Sequence, residues 1–445
     1  MLKKLFSRKA KKKVVVLGLD GVPCSLLKKF ARNGVMPHVA ELLEVGTLAH
    51  MKASIPEVSS TSWSTFMTGV NPGRHGIYGF MDLTPENYAW KFPNANDMQS
   101  KTIWEIAGEH DKRSVIINVP STYPAKPLNG KLVAGFVALD LKKASYPESM
   151  YDFLKSMNYR LDVNASKAVT AMEEFKDDIM QTFQKRQEAI RSLYDREDCD
   201  LFVAAITETD RLHHYLWSAL EDSASPHHEF FINFYRQLDQ FIGSFVEQVG
   251  EKIPFIMLSD HGFTRIEAEI YLNHFLRQKG YLKLTKEKPK SFEDLDFSSQ
   301  AFALDPSRIY IHRKNRFANG SVRPEDYENI RNSLKQDLLS IQVNEKPVIK
   351  EVRMKEDLYE GRCYDLAPDL VCLPHEGFDL KGSLVKEELS GTSFLTGGHT
   401  RENATFFINK KINCDRPDII DVGPTILQLL DLPASGLQGR SLVAN

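Results

Sequence analysis

The chain has 445 residues, 42% of them hydrophobic and 26% charged, with a formal net charge of −2 at pH 7. That balance is ordinary for a globular protein and gives no reason to expect nucleic acid as a partner. The five cysteines (Cys24, Cys199, Cys363, Cys372 and Cys414) are scattered and form no CxxC. They read as buried thiols in a reducing compartment and argue against a disulfide frame or a zinc ribbon. Residues 1–13, MLKKLFSRKAKKK, carry seven basic side chains. The apolar run behind them, VVVLGL, is shorter than the roughly 7–15 residues of a signal's apolar region. No stretch is long enough to span a bilayer, so a cytoplasmic protein is expected. Leu2, Leu5 and Phe6 share one helical face, which allows a weak contact with the inner, anionic face of a membrane. The simpler reading is a solvated basic tail.

Short apolar runs followed by turn or helix signals recur along the chain: Val14–Leu19, residues 114–118, Leu201–Ile206 and residues 254–258. Runs of this length fit strands buried on both faces of a parallel sheet. Helical patterns lie between them at 26–43, 172–194 and 229–249, which predicts an α/β core. From 266 to 365 the texture changes. YLNHFLRQKGYL reads as a helix leading to a strand, SRIYIHR as a strand, and PEDYENIRNSLKQDLLSI as a helix. This predicts a smaller α+β lobe at 266–365 inserted into a core formed by 14–265 and 366–445. The core is expected to resume with DLVCLP and to end on a helix opened near Asp421.

The stretch 56–69, PEVSSTSWSTFMTG, holds seven hydroxyls, and a nucleophile among them would need an activator. Asp20, Asp210 and Asp260 each fall just past the C-terminal end of a predicted strand, where open α/β sheets place their ligand crevice. One such Asp alone is as well explained as a turn former or helix cap. Histidines shift the balance. Asp210 and His214 are four apart and share a helix face, whereas His213 is turned about 100° away. His261 adjoins Asp260 on a turn, and His399 follows two glycines. Asp and His donors without cysteine suit zinc or manganese. His75 lies in a glycine-rich loop without the GK[ST] of a P-loop and reads as structural.

With these residues in view, the chain resembles the alkaline phosphatase superfamily, specifically its type I phosphodiesterase/nucleotide pyrophosphatase branch and the bacterial and archaeal members of that group. The segments that carry the resemblance are GLDG, PEVSSTSWSTFMTGVNPGRHGIYGF, NVPSTYPAKPLNG, TDRLHHYLW, SDHGF and GGH, in that order. The resemblance implies an alkaline phosphatase-like core: a mostly parallel sheet with helices on both faces. It implies two divalent ions, zinc or alternatively manganese. Asp20, Asp260, His261 and the nucleophile Ser59 would hold one; Asp210, His214 and His399 would hold the other. It further implies hydrolysis of a small-molecule phosphate ester, a phosphodiester or nucleotide pyrophosphate bond, through a covalent phosphoserine.

Two departures from the family pattern stand out. Many relatives have Thr where this chain has Ser59. Three residues on, an Asn that helps hold a phosphate oxygen in the eukaryotic nucleotide pyrophosphatases is Ser62 here, so Ser62 is the substrate-binding candidate and nucleotide specificity does not follow. The cysteine signature of sulfatases is absent. Two other readings are a phosphomonoesterase or phosphomutase of the same superfamily, and a metal-binding scaffold without catalysis. The complete set of seven positions argues against the scaffold.

Overall fold

The computed structural model describes residues 13–444. The basic segment ahead of Lys13, and the membrane contact expected of it, lie outside the described residues. Lys13 itself places its ammonium 3.6 Å from the centre of the Tyr194 ring. Among the described residues no helix is long and apolar enough to cross a membrane.

The centre is an eight-stranded sheet in the order Thr47–Met51, Ala404–Ile408, Phe255–Leu258, Val14–Leu19, Leu201–Ile206, Ser114–Val119, Gly130–Ala134 and Ser145–Tyr146. The five strands from Phe255–Leu258 to Gly130–Ala134 run parallel. Antiparallel pairings add Ala404–Ile408 and Thr47–Met51 on one side and Ser145–Tyr146 on the other. Successive side chains of a strand point to opposite faces, and each face here is covered. Val15, Leu17 and Leu19 join Phe202, Ala204 and Ile206 in one core, shared with helices 24–32, 172–196, 208–221 and 228–249. Val14 and Val16 join Leu201, Val203 and Ala205 in the other, under helices 59–68, 103–109 and 422–429. Covering on both faces explains why these strands read as unbroken apolar runs.

A second sheet stands apart, in the order Ala301–Leu304, Arg308–Ile311, Leu370–Pro374 and Ile349–Met354. It has its own core, which includes Leu272, Phe275 and Leu276 of one helix and Leu334 and Leu338 of another. Here the expectation needs correction. DLVCLP does not return to the large sheet. Leu370–Pro374 pairs with Arg308–Ile311 and Ile349–Met354, and the chain rejoins the large sheet only at Ala404–Ile408. A short apolar strand is equally at home in either sheet, and its neighbours decide between them. The helix expected at 26–43 is also two helices, Cys24–Arg32 and Pro37–Val45. Gly34 between them sits at φ 77°, and Pro37 at the first position of the second helix has no N–H to continue the first.

Candidate active site

Three neighbouring strands deliver the acids. Val14–Leu19 lies between Phe255–Leu258 and Leu201–Ile206, so Asp20, Asp260 and Asp210 emerge from adjacent strand ends. The Asp20 N–H donates to Ile206 O at 2.9 Å, and Thr209 Oγ1 donates to Asp20 O at 2.6 Å. His399 arrives by a different route. The strand Gly397–Thr400 pairs antiparallel with Gly262–Arg265 and sets His399 opposite Phe263, so the His399 ring stacks on His261 with centroids 3.5 Å apart. His214 lies one helical turn after Asp210 in the helix Glu208–Glu221.

Six of the seven expected positions fall into two adjoining groups, Asp20–Asp260–His261 and Asp210–His214–His399, each with ligand-type atoms within 4.8 Å of one another; Ser59, the seventh, adjoins the first group. His261 Nε2 lies 3.6 Å from Asp20 Oδ1, 3.3 Å from Asp260 Oδ2 and 3.9 Å from Asp210 Oδ1. Asp210 Oδ1 is 3.4 Å from both His214 Nε2 and His399 Nε2. Ser59 Oγ is 3.1 Å from His261 Nε2 and 3.4 Å from Asp20 Oδ1.

Whether this donor set suits cations can be judged from its hydrogen bonds. All three imidazoles are pinned through Nδ1 to main-chain carbonyls: His214 to Gly397 O, His399 to Glu57 O and His261 to Gly262 O, each at 3.0 Å. With the ring proton on Nδ1, every Nε2 presents a lone pair inward, the usual tautomer of a metal-ligating histidine. Asp210 Oδ1 and Asp260 Oδ2 are buried without a hydrogen-bond donor, which is costly unless a cation answers them. Burial, with the charges of Asp260 and Asp210, pushes the Asp20 carboxyl well up, and burial pushes Asp260 up to about 6. Asp210 goes the other way: burial would raise it, but His214 and His399 hold it well below its ordinary value. Burial and His399 lower His261. Crowded, desolvated carboxylates beside bare imidazole nitrogens fit divalent cations.

Ser59 opens the helix Ser59–Thr68, every residue of which is buried. The seven hydroxyls now separate. Ser64, Thr65 and Thr68 donate back to the carbonyls of Ser60, Thr61 and Ser64. Ser60 Oγ and Thr61 Oγ1 are buried without partners. Ser62 is corrected. Its Oγ lies 2.8 Å from Ser54 Oγ, and Ser54 Oγ donates to Pro56 O at 2.9 Å. The Ser62 proton is therefore committed to Ser54, and Ser62 has no donor left for a phosphate oxygen.

His213 donates or accepts between Gly21 O (3.0 Å) and the Tyr235 hydroxyl (2.6 Å), away from the ligand groups. His75 is buried between Thr65 Oγ1 and the Ile77 N–H, and burial lowers it to about 3.

Sequence reasoning missed the supports. Trp63 Nε1 donates to Asp20 Oδ2 at 3.0 Å. Arg211 donates to Asp210 Oδ2 at 3.2 Å and to Asp162 Oδ2 at 2.8 Å, which turns Asp210 Oδ1 toward the histidines. Both residues lie inside motifs already noted, but spacing alone says nothing of their direction. A cleft of about 250 Å³ opens from His214 and His399 and runs past Phe80, Asp305 and Phe378.

The family model for type I phosphodiesterase / nucleotide pyrophosphatase matches residues 14–399. The chain belongs to that family. It is accordingly an enzyme, a phosphoester hydrolase of the nucleotide pyrophosphatase/phosphodiesterase type. No curated protein sequence matches it. Among solved structures, phosphonoacetate hydrolase from Sinorhizobium meliloti 1021 in complex with phosphonoacetate is similar at a TM-score of 0.64 and 15% identity, covering 95% of each chain. Human ectonucleotide pyrophosphatase/phosphodiesterase 5 gives a TM-score of 0.57 at 15% identity, covering 96% of this chain and 97% of that one. An inactive threonine-to-alanine variant of the murine protein in complex with AMP gives 0.55 at 16% identity, with the same coverage. These likenesses place the fold in the alkaline phosphatase group.

Proposed function

We propose that the chain hydrolyses phosphodiesters, with Ser59 as nucleophile and two divalent ions, zinc or alternatively manganese, as cofactors. Asp20, Asp260, His261 and Ser59 would hold one ion, and Asp210, His214 and His399 the other. The observation that carries the reading is the position of Ser59 Oγ, 3.1 Å from His261 Nε2 and 3.4 Å from Asp20 Oδ1, at the first turn of a helix. Bound ions in such a pair lower the pKa of a hydroxyl or water and neutralise charge on the departing oxygen.

The protein's part is placement. Ser59 Oγ attacks phosphorus, the ester oxygen leaves on the opposite side, and water then cleaves the phosphoserine. Thr61 N and Ser62 N are spent on Val58 O, so the N–H groups of Ser59 and Ser60 remain for phosphoryl oxygens, as at other helix starts. The inactive threonine variant of the murine relative bound to AMP is consistent with a hydroxyl nucleophile.

A monoester carries one more charge than a diester and calls for a free cation. Arg211, the guanidinium that touches the ligand set, is shared between Asp162 and Asp210. This favours the diester over the monoesterase or phosphomutase reading. The test is turnover of bis-p-nitrophenyl phosphate, p-nitrophenyl phosphate and p-nitrophenyl sulfate by protein loaded with zinc or manganese. The diester should lead the monoester by at least about tenfold, roughly 1.4 kcal/mol in transition-state stabilisation. Equal or reversed rates would support the monoesterase, and no turnover with either metal would overturn the assignment.

A further inference from the structure

The cleft that starts at His214 and His399 carries charges that the reaction itself does not use. Glu57, Asp305, Asp379 and Lys381 all line it. Lys381 Nζ lies 2.6 Å from Asp379 Oδ2, so one ammonium faces three carboxylates. The other cation on the wall, Arg265, is engaged with Glu221 at 3.1 Å. Asp305 is held from behind. Its Oδ1 accepts from the Gly382 N–H, and its carbonyl accepts from Arg308 Nε at 3.0 Å. Among the described residues no hydrogen bond reaches Oδ2, and burial raises this carboxyl above its ordinary value despite the nearby Lys381. Beside the hydroxyls of Thr264 and Ser307, the wall offers apolar side chains, with Phe80 and Phe378 supplying aromatic rings.

We propose that this cleft is the subsite for one substituent of the phosphate ester, and that it takes an amino alcohol with a primary ammonium head. The inference rests on the phosphodiesterase reading above. An ammonium brings N–H donors to Asp305 Oδ2, a charge-assisted bond to a half-buried carboxylate, and it gains from the faces of aromatic rings. A neutral alkyl group of the same size leaves the carboxylate unanswered. A second phosphate, as in a nucleoside diphosphate, would set like charges against Glu57, Asp305 and Asp379, which is selection by repulsion.

The experiment compares three p-nitrophenyl phosphodiesters that differ only in the other substituent: 2-aminoethyl, n-propyl and 2-phosphoethyl. The metal-loaded full chain is used, with kcat/KM as the readout. The aminoethyl ester should exceed the propyl ester by at least about tenfold, and the phosphoethyl ester should be the poorest, since a polar group built to meet a donor rejects the analogue that lacks one. In Asp305→Asn the aminoethyl-to-propyl ratio should fall to about twofold or less, because the charge that favours the ammonium is gone. Lys381→Met should move the ratio upward. A propyl or phosphoethyl ester that matches the aminoethyl ester in the unmodified protein overturns the subsite, whatever the variants do. An unchanged ratio in a folded Asp305→Asn does the same. Failure to hydrolyse bis-p-nitrophenyl phosphate would instead sink the phosphodiesterase reading beneath it.

Discussion

His214 and His399 meet Nε2 to Nε2 at 3.1 Å, while each Nδ1 is held by a main-chain carbonyl. Two lone pairs cannot rest so close unless something positive lies between them. Burial works against a charge on this pair, but Asp210 holds His399 above its ordinary value. A divalent ion satisfies the same geometry and also answers Asp210 Oδ1.

The first prediction follows from that pair. His214→Ala or His399→Ala should lower the metal content from two ions per chain to one. The fold should survive, because both side chains lie at the cleft and outside the apolar cores. Elemental analysis of dialysed protein, with circular dichroism as the control for folding, reads the result. Two ions retained in both variants would show that these histidines are not ligands.

The pH dependence of metal stabilisation carries a definite sign. Asp260 is pushed up to about 6 by burial, above the ordinary 3.8 of an aspartate, and Asp20 rises for the same reason, reinforced by Asp260 and Asp210. For groups raised in the folded state, the stability contributed is fully present below the unfolded pKa and is lost as pH rises through the folded one. Metal-free protein therefore loses this contribution between about pH 4 and 6, as the carboxylates ionise without a counter-charge. A bound divalent ion reverses the loss. The rise in Tm on adding zinc should be small at pH 5 and grow through pH 6 to 7.5. A rise independent of pH would remove these carboxylates from the metal site.

How much of this was legible in the sequence can be judged residue by residue. Asp20, Asp210 and Asp260 were placed together because each follows a buried strand, and a parallel sheet puts the C-terminal ends of its strands on one edge. His399 could be placed beside them only by resemblance, since it reaches His261 through the pairing of Gly397–Thr400 with Gly262–Arg265, 135 positions away in the chain. The edge strand Thr47–Met51 went unseen because it is half-buried and mixed in polarity. Leu370–Pro374 was seen as a strand but assigned to the wrong sheet. Local pattern reports that a segment is buried and extended, while the choice of partner is made by loops and packing far away. The contact of Ser62 with Ser54 is hidden for a related reason: Ser54 approaches from the chain before the helix.

A further prediction concerns Gly18, in the strand Val14–Leu19 that leads to Asp20. A Cβ there would stand 2.3 Å from Trp63 Cη2, and Trp63 Nε1 in turn holds Asp20 Oδ2. Gly18→Ala should push the indole away from its place, costing roughly 1–3 kcal/mol as overpacking does, and should loosen the ion held by Asp20. Zinc titration at pH 7.5 should show one affinity weakened by more than the other. Equal affinities to those of the unmodified protein, with unchanged Tm, would mean that Trp63 is not a support for Asp20.

The last prediction separates the hydroxyls of the buried helix. Ser59 Oγ is the hydroxyl that touches both His261 and Asp20. Ser60 and Thr61 are buried beside it without hydrogen-bond partners, so they test whether proximity alone is enough. Ser60 carries Ser64 and Ser121 on its carbonyl, contacts that survive loss of its side chain. Ser59→Ala should reduce diester turnover by at least about a thousandfold, as loss of a nucleophile does, with metal content at the second group intact. Ser60→Ala and Thr61→Ala should keep turnover within about tenfold, a change of no more than roughly 1.4 kcal/mol. Acid quenching during turnover of a slow, phosphorus-labelled substrate should leave the label on a peptide containing Ser59, and fragmentation should assign it to that residue. Label on Thr61, or a Ser59→Ala enzyme with near-normal turnover, would move the nucleophile to a neighbouring hydroxyl and with it the first metal group.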